Sequence, residues 1–232
     1  MKVLICAGTP TSGKTTVLKQ VIKRLKGRQL AFLKVDVLYA NEPEEISQKF
    51  GIPTRKVYSG DLCPDHCNVL VLGDAINWAS REKADILLVE TAGLCLRCSP
   101  YIEGALGIVV LEATSGMNLP RKIGPMLSLA DIAVVTKIDL VSQAEREVFR
   151  ARILESSKVD VIEVDALRGV NFDRLVRKVE NCSEISPNQK LMLRGNPPLG
   201  TCTICVGKKE IGTDAHFGVV RSLETEVFYR GE

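Results

Sequence analysis

Short apolar runs alternate with amphipathic stretches along most of the chain. Seven runs of aliphatic and β-branched residues, bounded by polar or turn-forming residues, predict buried strands at 2–7, 30–37, 55–59, 85–90, 104–113, 131–136 and 159–164. After the first of these, apolar residues recur at helical spacing from Val17 to Leu25, and the pattern ends at Gly27. Similar spacing predicts further helices near 42–50, 68–82, 119–129, 142–156 and 171–181.

The order of these elements predicts the fold class. Strands that are apolar throughout and separated by helices are typical of an α/β protein with a mostly parallel central sheet flanked by helices. The pattern changes near residue 183, after which turn-forming residues are frequent and only short strands are expected. We therefore predict one large domain over 1–182 and a small, β-rich, cysteine-containing extension over 183–232.

A glycine-rich stretch joins the first predicted strand to the first predicted helix. "GTPTSGKT", from Gly8 to Thr15, matches the P-loop pattern G-x-x-x-x-G-K-[ST] in full. Backbone N–H groups of such a loop hold phosphates, its lysine reaches the β/γ oxygens, and its hydroxyl ligates Mg²⁺. This predicts a P-loop NTPase whose nucleotide-binding residues include Gly8, Thr11, Ser12, Gly13, Lys14, Thr15 and Thr16. The alternative is a glycine-rich turn that merely fits the pattern.

A second motif, "VVTKIDL", indicates which base the nucleotide carries. It ends a predicted strand with Thr136, Lys137 and Asp139, in the place where P-loop GTPases carry N/T-K-x-D. An aspartate there accepts hydrogen bonds from guanine N1–H and the exocyclic amine, whereas adenine presents the opposite edge. We predict GTP and GDP as ligands, with "VDALRGVNF" (164–172) as a later guanine-contacting loop. The alternative is an ordinary turn with a surface lysine and a capping aspartate.

Two acidic residues end predicted strands that should approach the phosphates. "LLVETAG" supplies Glu90, a candidate Mg²⁺ ligand, and Gly93, whose backbone N–H can approach the γ-phosphate. Asp36 ends the second strand and could orient the attacking water, ligate Mg²⁺, or simply cap the next helix. For hydrolysis we predict Lys14, Asp36 and Glu90 as catalytic residues, and Thr15, Asp36 and Glu90 around Mg²⁺.

Charge and hydropathy exclude several partner classes. The chain has 31 Lys and Arg against 28 Asp and Glu, a net charge of +3, which gives no argument for a nucleic acid or membrane partner. No apolar run reaches the roughly 18 residues that a membrane span requires. The apolar stretch of "MKVLICAG" is too short for a signal peptide, so a cytoplasmic location is expected.

Eight cysteines need an explanation in a reducing compartment, which does not favour structural disulfides. Six of them fall in close pairs, at 63/67, 95/98 and 202/205, a spacing typical of thiolate ligation. "GDLCPDHC" and "GLCLRCSP" have the polar character of loops and predict a transition-metal site built from Cys63, His66, Cys67, Cys95 and Cys98. The alternative is that cysteines are small buried hydrophobes, which we expect for Cys6 and Cys182.

The predicted C-terminal extension offers candidate ligands for a second metal site. "GTCTICVGKKEIGTDAHFGVV" contains Cys202, Cys205 and His216, which could form a small zinc site that stabilises an undersized subdomain. Other roles are a cluster shared across a dimer, a docking surface for a client enzyme, or a redox pair activated by Lys208 and Lys209.

Together these motifs resemble the HypB/UreG/CobW group of P-loop GTPases, which service metalloenzymes. The resemblance covers roughly residues 1–180 and is carried by E-x-x-G after the fourth strand, "LPRKIGPML" and "TKIDL". Urease accessory members carry Cys-Pro-His where this chain has Cys63-Pro64-Asp65-His66. Cys98 corresponds to a cysteine that follows the E-x-x-G in hydrogenase members.

The resemblance implies a GTP-hydrolysing homodimer that delivers a metal, commonly nickel, to a client metalloenzyme or its accessory proteins. Asp65 shifts the histidine by one position, and the added thiolates favour a softer metal such as zinc, Cu(I) or an iron–sulfur cluster. Three other functions stay open: a nucleotide-driven iron–sulfur electron-transfer or reactivation protein, a small-molecule kinase, and a regulatory GTP switch with structural zinc.

Overall fold

The computed structural model describes residues 1–37, 39–59, 63–93, 99–186, 189–196 and 209–211, and the backbone of 227–228. Within these ranges the strands are β1 Lys2–Gly8, β2 Leu30–Asp36, β3 Thr54–Tyr58, β4 Ile86–Glu90, β5 Leu106–Glu112, β6 Ile132–Thr136, β7 Asp160–Glu163 and β8 Val227–Phe228. The helices are α1 Lys14–Arg24, α2 Glu42–Phe50, α3 Pro64–Leu70, α4 Leu72–Arg81, α5 Leu119–Lys122, α6 Gly124–Leu129, α7 Gln143–Ser156 and α8 Asp173–Glu180.

The described strands form one sheet in the order β7-β6-β5-β1-β4-β2-β3-β8, with parallel pairing between all neighbours. Strand β1 lies in the interior, between β4 and β5. Because the strands are parallel, their carboxyl ends meet at one edge, where α/β proteins bind ligands. The ends of β1, β2, β4 and β6 carry the predicted site residues, so the topology brings these residues to a common edge.

Two hydrophobic clusters cover the two faces of the sheet, as the sequence predicts for an α/β fold. One cluster packs α1 and α8 against the sheet through buried residues such as Val17, Leu18 and Leu175. The other packs α3, α4, α6 and α7 against the opposite face and includes Trp78 and Phe149. Burial of both faces explains why the central strands β1, β4, β5 and β6 are apolar at nearly every position.

Two predicted helices differ from the observed ones. The segment expected at 68–82 is two helices, and the first begins at Pro64, so the stretch from Cys63 to Cys67 caps and opens a helix instead of forming a loop. Proline is favoured at the first helical position. Its fixed φ suits the helix, and an N–H at that position would have no acceptor within the helix, so its absence costs little. The helix expected at 119–129 is divided at Ile123 into α5 and α6, and Pro120 and Pro125 lie near their starts.

The chain beyond residue 183 is held against the large domain wherever the structure describes it. Ile185 donates its N–H to the Met1 carbonyl at 2.7 Å, and Leu193 is fully buried. The Arg194 guanidinium donates to the Leu129 carbonyl at 2.9 Å and forms an ion pair with Asp131 at 2.8 Å. The domain boundary near 183 stays a prediction. Within the described ranges, every helix falls short of the length and apolarity that a bilayer crossing requires.

Candidate functional site

The loop between β1 and α1 has the backbone shape of a phosphate-binding loop. Thr11 has φ 62° and Gly13 has φ 92°, so the chain turns sharply before α1 begins at Lys14. A Cβ at Gly8 would collide with the Val110 carbonyl oxygen, which makes glycine necessary where β1 ends against β5. Ser12 is fully buried in this loop.

Lys14 extends back over the loop that precedes it. Its Nζ donates to the Thr9 carbonyl at 3.0 Å and to the Gly8 carbonyl at 3.2 Å. Burial lowers the pKa of Lys14, and the negative charge of Glu90 partly opposes that effect. A lysine held by two carbonyls can exchange those weak acceptors for phosphate oxygens, which are stronger ones.

Thr15 and Glu90 meet beside Lys14. The Thr15 hydroxyl donates to Glu90 Oε1 at 2.7 Å, and Glu90 is only 2% exposed at the end of β4. Among the described residues, Glu90 Oε2 has no hydrogen-bond partner although it is buried. A hydroxyl oxygen beside a carboxylate with an unsatisfied oxygen is a donor set that fits Mg²⁺. These residues therefore match the cation that a P-loop requires.

Asp36 lies at the same edge but is more open. Its side chain is 37% exposed, and its Oδ1 accepts the N–H of Val37 at 2.8 Å. Helix α2 begins only at Glu42, after Asn41, so Asp36 does not cap it. Asp36 is thus available to a water or ion in the cavity, as an orienting residue would need to be.

A residue that sequence analysis missed, Lys34, lies between these acids. Its Nζ is 2.9 Å from Glu90 Oε1, 3.1 Å from Glu42 Oε1 and 3.6 Å from Asp36 Oδ2. Burial alone would lower the pKa of Lys34, but the Glu90 and Glu42 carboxylates outweigh burial and raise the pKa above its ordinary value. The available signal was a lysine inside the apolar run "LAFLKVDV", two residues before Asp36.

These side chains surround one cavity of about 480 Å³. Its lining includes most of the predicted phosphate and cation residues: Thr11, Gly13, Lys14, Thr15, Thr16, Asp36, Glu90 and Gly93. Gly93 packs against the phosphate-binding loop. A Cβ at this position would collide with the Gly8 carbonyl oxygen and lie 2.7 Å from Lys14 Nζ. The loop after β4 can therefore respond to whatever binds Lys14.

The predicted guanine residues lie outside that cavity and are joined to it through Ser12. The Thr136 hydroxyl, buried at the end of β6, donates to the Ser12 carbonyl at 2.6 Å. Lys137 has φ 55° and forms an ion pair with Glu112. Asp139 is 3.4 Å from Arg168, which also bonds Asp165 at 2.8 Å. This arrangement brings the predicted later loop at 164–172 next to Asp139.

The first cysteine pair lies on α3, close to the loop after β4. Cys63 is the half-buried N-cap of α3, whereas His66 and Cys67 are 3% and 1% exposed. Burial and the neighbouring Cys63 raise the pKa of Cys67 to about 12. Within the described ranges, no three His, Cys, Asp or Glu side chains converge as metal ligands. Cys95, Cys98, Cys202, Cys205 and His216 lie outside those ranges.

Asn68 joins α3 to the loop after β4, and sequence analysis missed this contact as well. Its Nδ2 donates to the Ala92 carbonyl at 3.0 Å, and the Ala92 N–H donates to Asn68 Oδ1 at 2.9 Å. Asn68 is 2% exposed, so water competes little for the groups that form these two hydrogen bonds. Ala92 directly precedes Gly93, and the helix that carries Cys63 and Cys67 is therefore fixed to the wall of the nucleotide cavity.

Of the other two described cysteines, Cys6 fits the expectation of a buried side chain, whereas Cys182 is only partly buried. Cys6 is fully buried in β1, and burial raises the pKa of its thiol far above the ordinary value. Cys182 is half-buried after α8 and donates to the Val179 carbonyl at 3.2 Å.

The chain was compared with known protein families, relatives and solved structures. The family model described as the CobW/HypB/UreG nucleotide-binding domain matches residues 2–163. The chain belongs to the CobW/HypB/UreG family. The match spans β1 through β7, and it therefore contains both the phosphate-binding loop and the strand that ends at Thr136.

Individual relatives of this CobW/HypB/UreG family member extend the comparison. It is 43% identical over 235 residues, with all of both chains covered, to MJ0120, an uncharacterized protein of Methanocaldococcus jannaschii. It is 24% identical to the probable hydrogenase maturation factor HypB of the same organism, over 75% of this chain and 79% of the relative.

Solved structures show the same fold. The hydrogenase maturation factor HypB from Archaeoglobus fulgidus matches with a TM-score of 0.65 at 21% identity, over 78% of this chain and 89% of that one. HypB from Helicobacter pylori, solved in complex with nickel, matches with a TM-score of 0.61 at 22% identity, over 80% of this chain and 91% of that one.

Proposed function

We propose that this chain is a GTP-hydrolysing maturation factor that carries a transition metal and releases it to a client metalloenzyme according to the bound nucleotide. Family membership supports nucleotide binding, and the names of the HypB relatives support a maturation role. The observation that carries the proposal is the pair of hydrogen bonds between Asn68 and Ala92, since it joins the cysteine-bearing helix to the nucleotide cavity.

The hydrolytic chemistry follows from the residues that line the cavity. Lys14 would leave the carbonyls of Gly8 and Thr9 and bind the β/γ-phosphate oxygens, where negative charge develops during attack by water. Thr15 and Glu90 would hold Mg²⁺, which supplies further positive charge at the same oxygens when it is bound. Asp36, exposed at the cavity wall, would orient the water. A slow reaction of this kind suits a switch.

Metal carriage depends on thiols that the nucleotide can reposition. Cys63 is the more accessible thiol of the pair on α3, because it is half-buried at the start of the helix while Cys67 is enclosed. We propose that Cys63 binds the metal together with Cys95 or Cys98 and with ligands of a second subunit in a homodimer. Zinc and nickel are the candidate metals, and an iron–sulfur cluster is the alternative that two cysteine pairs per chain would permit.

The burial of Cys67 and His66 favours one rival function. A thiol with a pKa of about 12 is a poor ligand until it is deprotonated, and a buried imidazole on a helix can be part of the core. Under that alternative, the chain is a regulatory GTP switch whose α3 transmits the nucleotide state to a protein partner without carrying a metal.

Metal binding by the full chain distinguishes the two functions. The reduced protein is dialysed without oxygen against Zn²⁺ or Ni²⁺, with GDP or a non-hydrolysable GTP analogue, and bound metal and oligomeric mass are measured. We expect stoichiometric metal in the wild type and in Cys182→Ser, the control cysteine after α8, and loss of metal in Cys63→Ser. Absence of bound metal, or equal metal in Cys63→Ser, would contradict the carrier function.

A further inference from the structure

A single lysine breaks the apolar character of β2 at the point where the sheet meets the nucleotide cavity. Lys34 is 5% exposed, and its neighbours Leu33 and Val35 are fully buried. An ammonium group is rarely buried unless it is paired. Across the β2–β4 ladder, Lys34 lies directly opposite Glu90, so the backbone register itself sets this lysine against the predicted cation ligand.

The Lys34 ammonium group shares its acceptor oxygen with another residue of the site. Glu90 Oε1 accepts both the Thr15 hydroxyl at 2.7 Å and Lys34 Nζ at 2.9 Å. Thr15 and Glu90 are the two residues whose oxygen atoms fit Mg²⁺. The Lys34 charge therefore lies one hydrogen bond from the oxygens that a divalent cation would share.

The charges around the cavity show what this position does. Three lysines and three acids line it, so its formal charge is zero: Lys14, Lys19 and Lys34 against Asp36, Glu42 and Glu90. Without Lys34 the lining would carry a net negative charge and would repel a nucleotide that arrives without a metal. With Lys34 the lining is neutral and does not repel the phosphates before Mg²⁺ enters. The positive charge of Lys34 also weakens the attraction of the cavity for Mg²⁺.

We propose that Lys34 is a built-in cation of the nucleotide site that partly replaces Mg²⁺ in holding the nucleotide phosphates. The proposal needs only nucleotide binding, and it does not depend on metal delivery to a client. It makes nucleotide affinity less dependent on Mg²⁺ than Lys14 and the phosphate-binding loop alone would allow.

The test measures the affinity of the full chain for GDP and for a non-hydrolysable GTP analogue, in excess Mg²⁺ and in EDTA. In the wild type we expect the two conditions to differ by less than about tenfold. In Lys34→Met the affinity in EDTA should fall by about tenfold or more, while the affinity in Mg²⁺ changes by less than about threefold. Lys34→Arg, which keeps the charge, should remain close to the wild type.

Lys56→Met is the matched control. Lys56 is the register partner of Lys34 in the β2–β3 ladder and also pairs with a glutamate of α2, Glu44, but it does not line the cavity. This variant should bind as the wild type does in both conditions. Equal losses for Lys34→Met in Mg²⁺ and EDTA would overturn the proposal by showing a purely structural role. A wild-type affinity that falls by more than about tenfold in EDTA would also overturn it, even if Lys34→Met fails to fold.

Discussion

Asn68 of α3 and Ala92 of the loop after β4 are hydrogen-bonded to each other in both directions. One side-chain amide uses its donor and its acceptor on the backbone of a single residue, at 3.0 and 2.9 Å. A shift of the loop would therefore break both bonds together unless α3 moved with it. Since Gly93 follows Ala92 and lies against Lys14, the contact would connect phosphates bound at Lys14 to the cysteine-bearing helix.

Gly93→Ala should weaken binding of a non-hydrolysable GTP analogue by about tenfold, with a smaller effect on GDP. The added Cβ would collide with the Gly8 carbonyl oxygen, which is backbone and cannot move aside, so the loop after β4 must retreat from the phosphates. Calorimetric titration measures both affinities. Gly73→Ala is the control, because its Cβ would meet only Leu191, at 3.9 Å. Unchanged affinities in Gly93→Ala would show that this loop does not approach the nucleotide.

Asp139→Asn should reduce GTP affinity by about a hundredfold and improve binding of xanthosine triphosphate. The Asp139 carboxylate would accept two hydrogen bonds from guanine, whereas an amide presents a donor that repels the guanine amine and matches a xanthine carbonyl. Competition assays with GTP, ATP and xanthosine triphosphate measure the change. A variant that keeps the wild-type order of the three nucleotides would exclude Asp139 as the base-reading residue.

Thr136→Val should lower nucleotide affinity several-fold and destabilise the fold by about 1 kcal/mol. The substitution keeps the shape of the side chain but removes the hydroxyl that donates to the Ser12 carbonyl at 2.6 Å. Thr136→Ser retains the hydroxyl and should recover most of both losses. Urea unfolding and calorimetric titration are the measurements, and equal behaviour of the valine and serine variants would rule out this bond as the cause.

The buried thiol of Cys67 predicts a stability change at alkaline pH. Its pKa is about 12 in the folded protein against 9.0 for an ordinary thiol, so its contribution is complete below pH 9 and is lost as pH rises toward 12. Between pH 8 and pH 10 the wild type should lose about 1 kcal/mol more unfolding free energy than Cys67→Ala. Urea titrations at the two pH values test this, and parallel losses would mean that the thiol ionises normally in the folded chain.

Sequence patterns predicted the strands and the phosphate-binding loop well, because both depend on local information. Strands β1, β4, β5 and β6 are apolar runs buried on both faces, and the loop needs glycine where φ is positive, as at Gly13. The edge of the sheet that carries Glu90 and Thr136 then follows from parallel pairing alone. The family resemblance drawn from these motifs is confirmed by the match over residues 2–163.

The remaining features depend on contacts that no local pattern contains. Helix α3 is short and buries Asp65, His66 and Asn68, so an apolar periodicity could not identify its start. Asn68 has its partner 24 residues away, and Lys34 has Glu90 56 residues away. In each case the tertiary fold supplies the partner that makes a buried polar group stable.

The most direct test of the account compares Zn²⁺ affinity in the GDP state with that in the GTP-analogue state, for the wild type and for Asn68→Ala. We predict that the two states of the wild type differ by about tenfold, and that Asn68→Ala still binds zinc but with nearly equal affinity in both states. Tyr101→Phe is the control, since it removes another buried hydrogen bond, to the Ile108 carbonyl at 3.0 Å, and should keep the difference. Equal affinities in the wild type, or an undiminished difference in Asn68→Ala, would contradict the account.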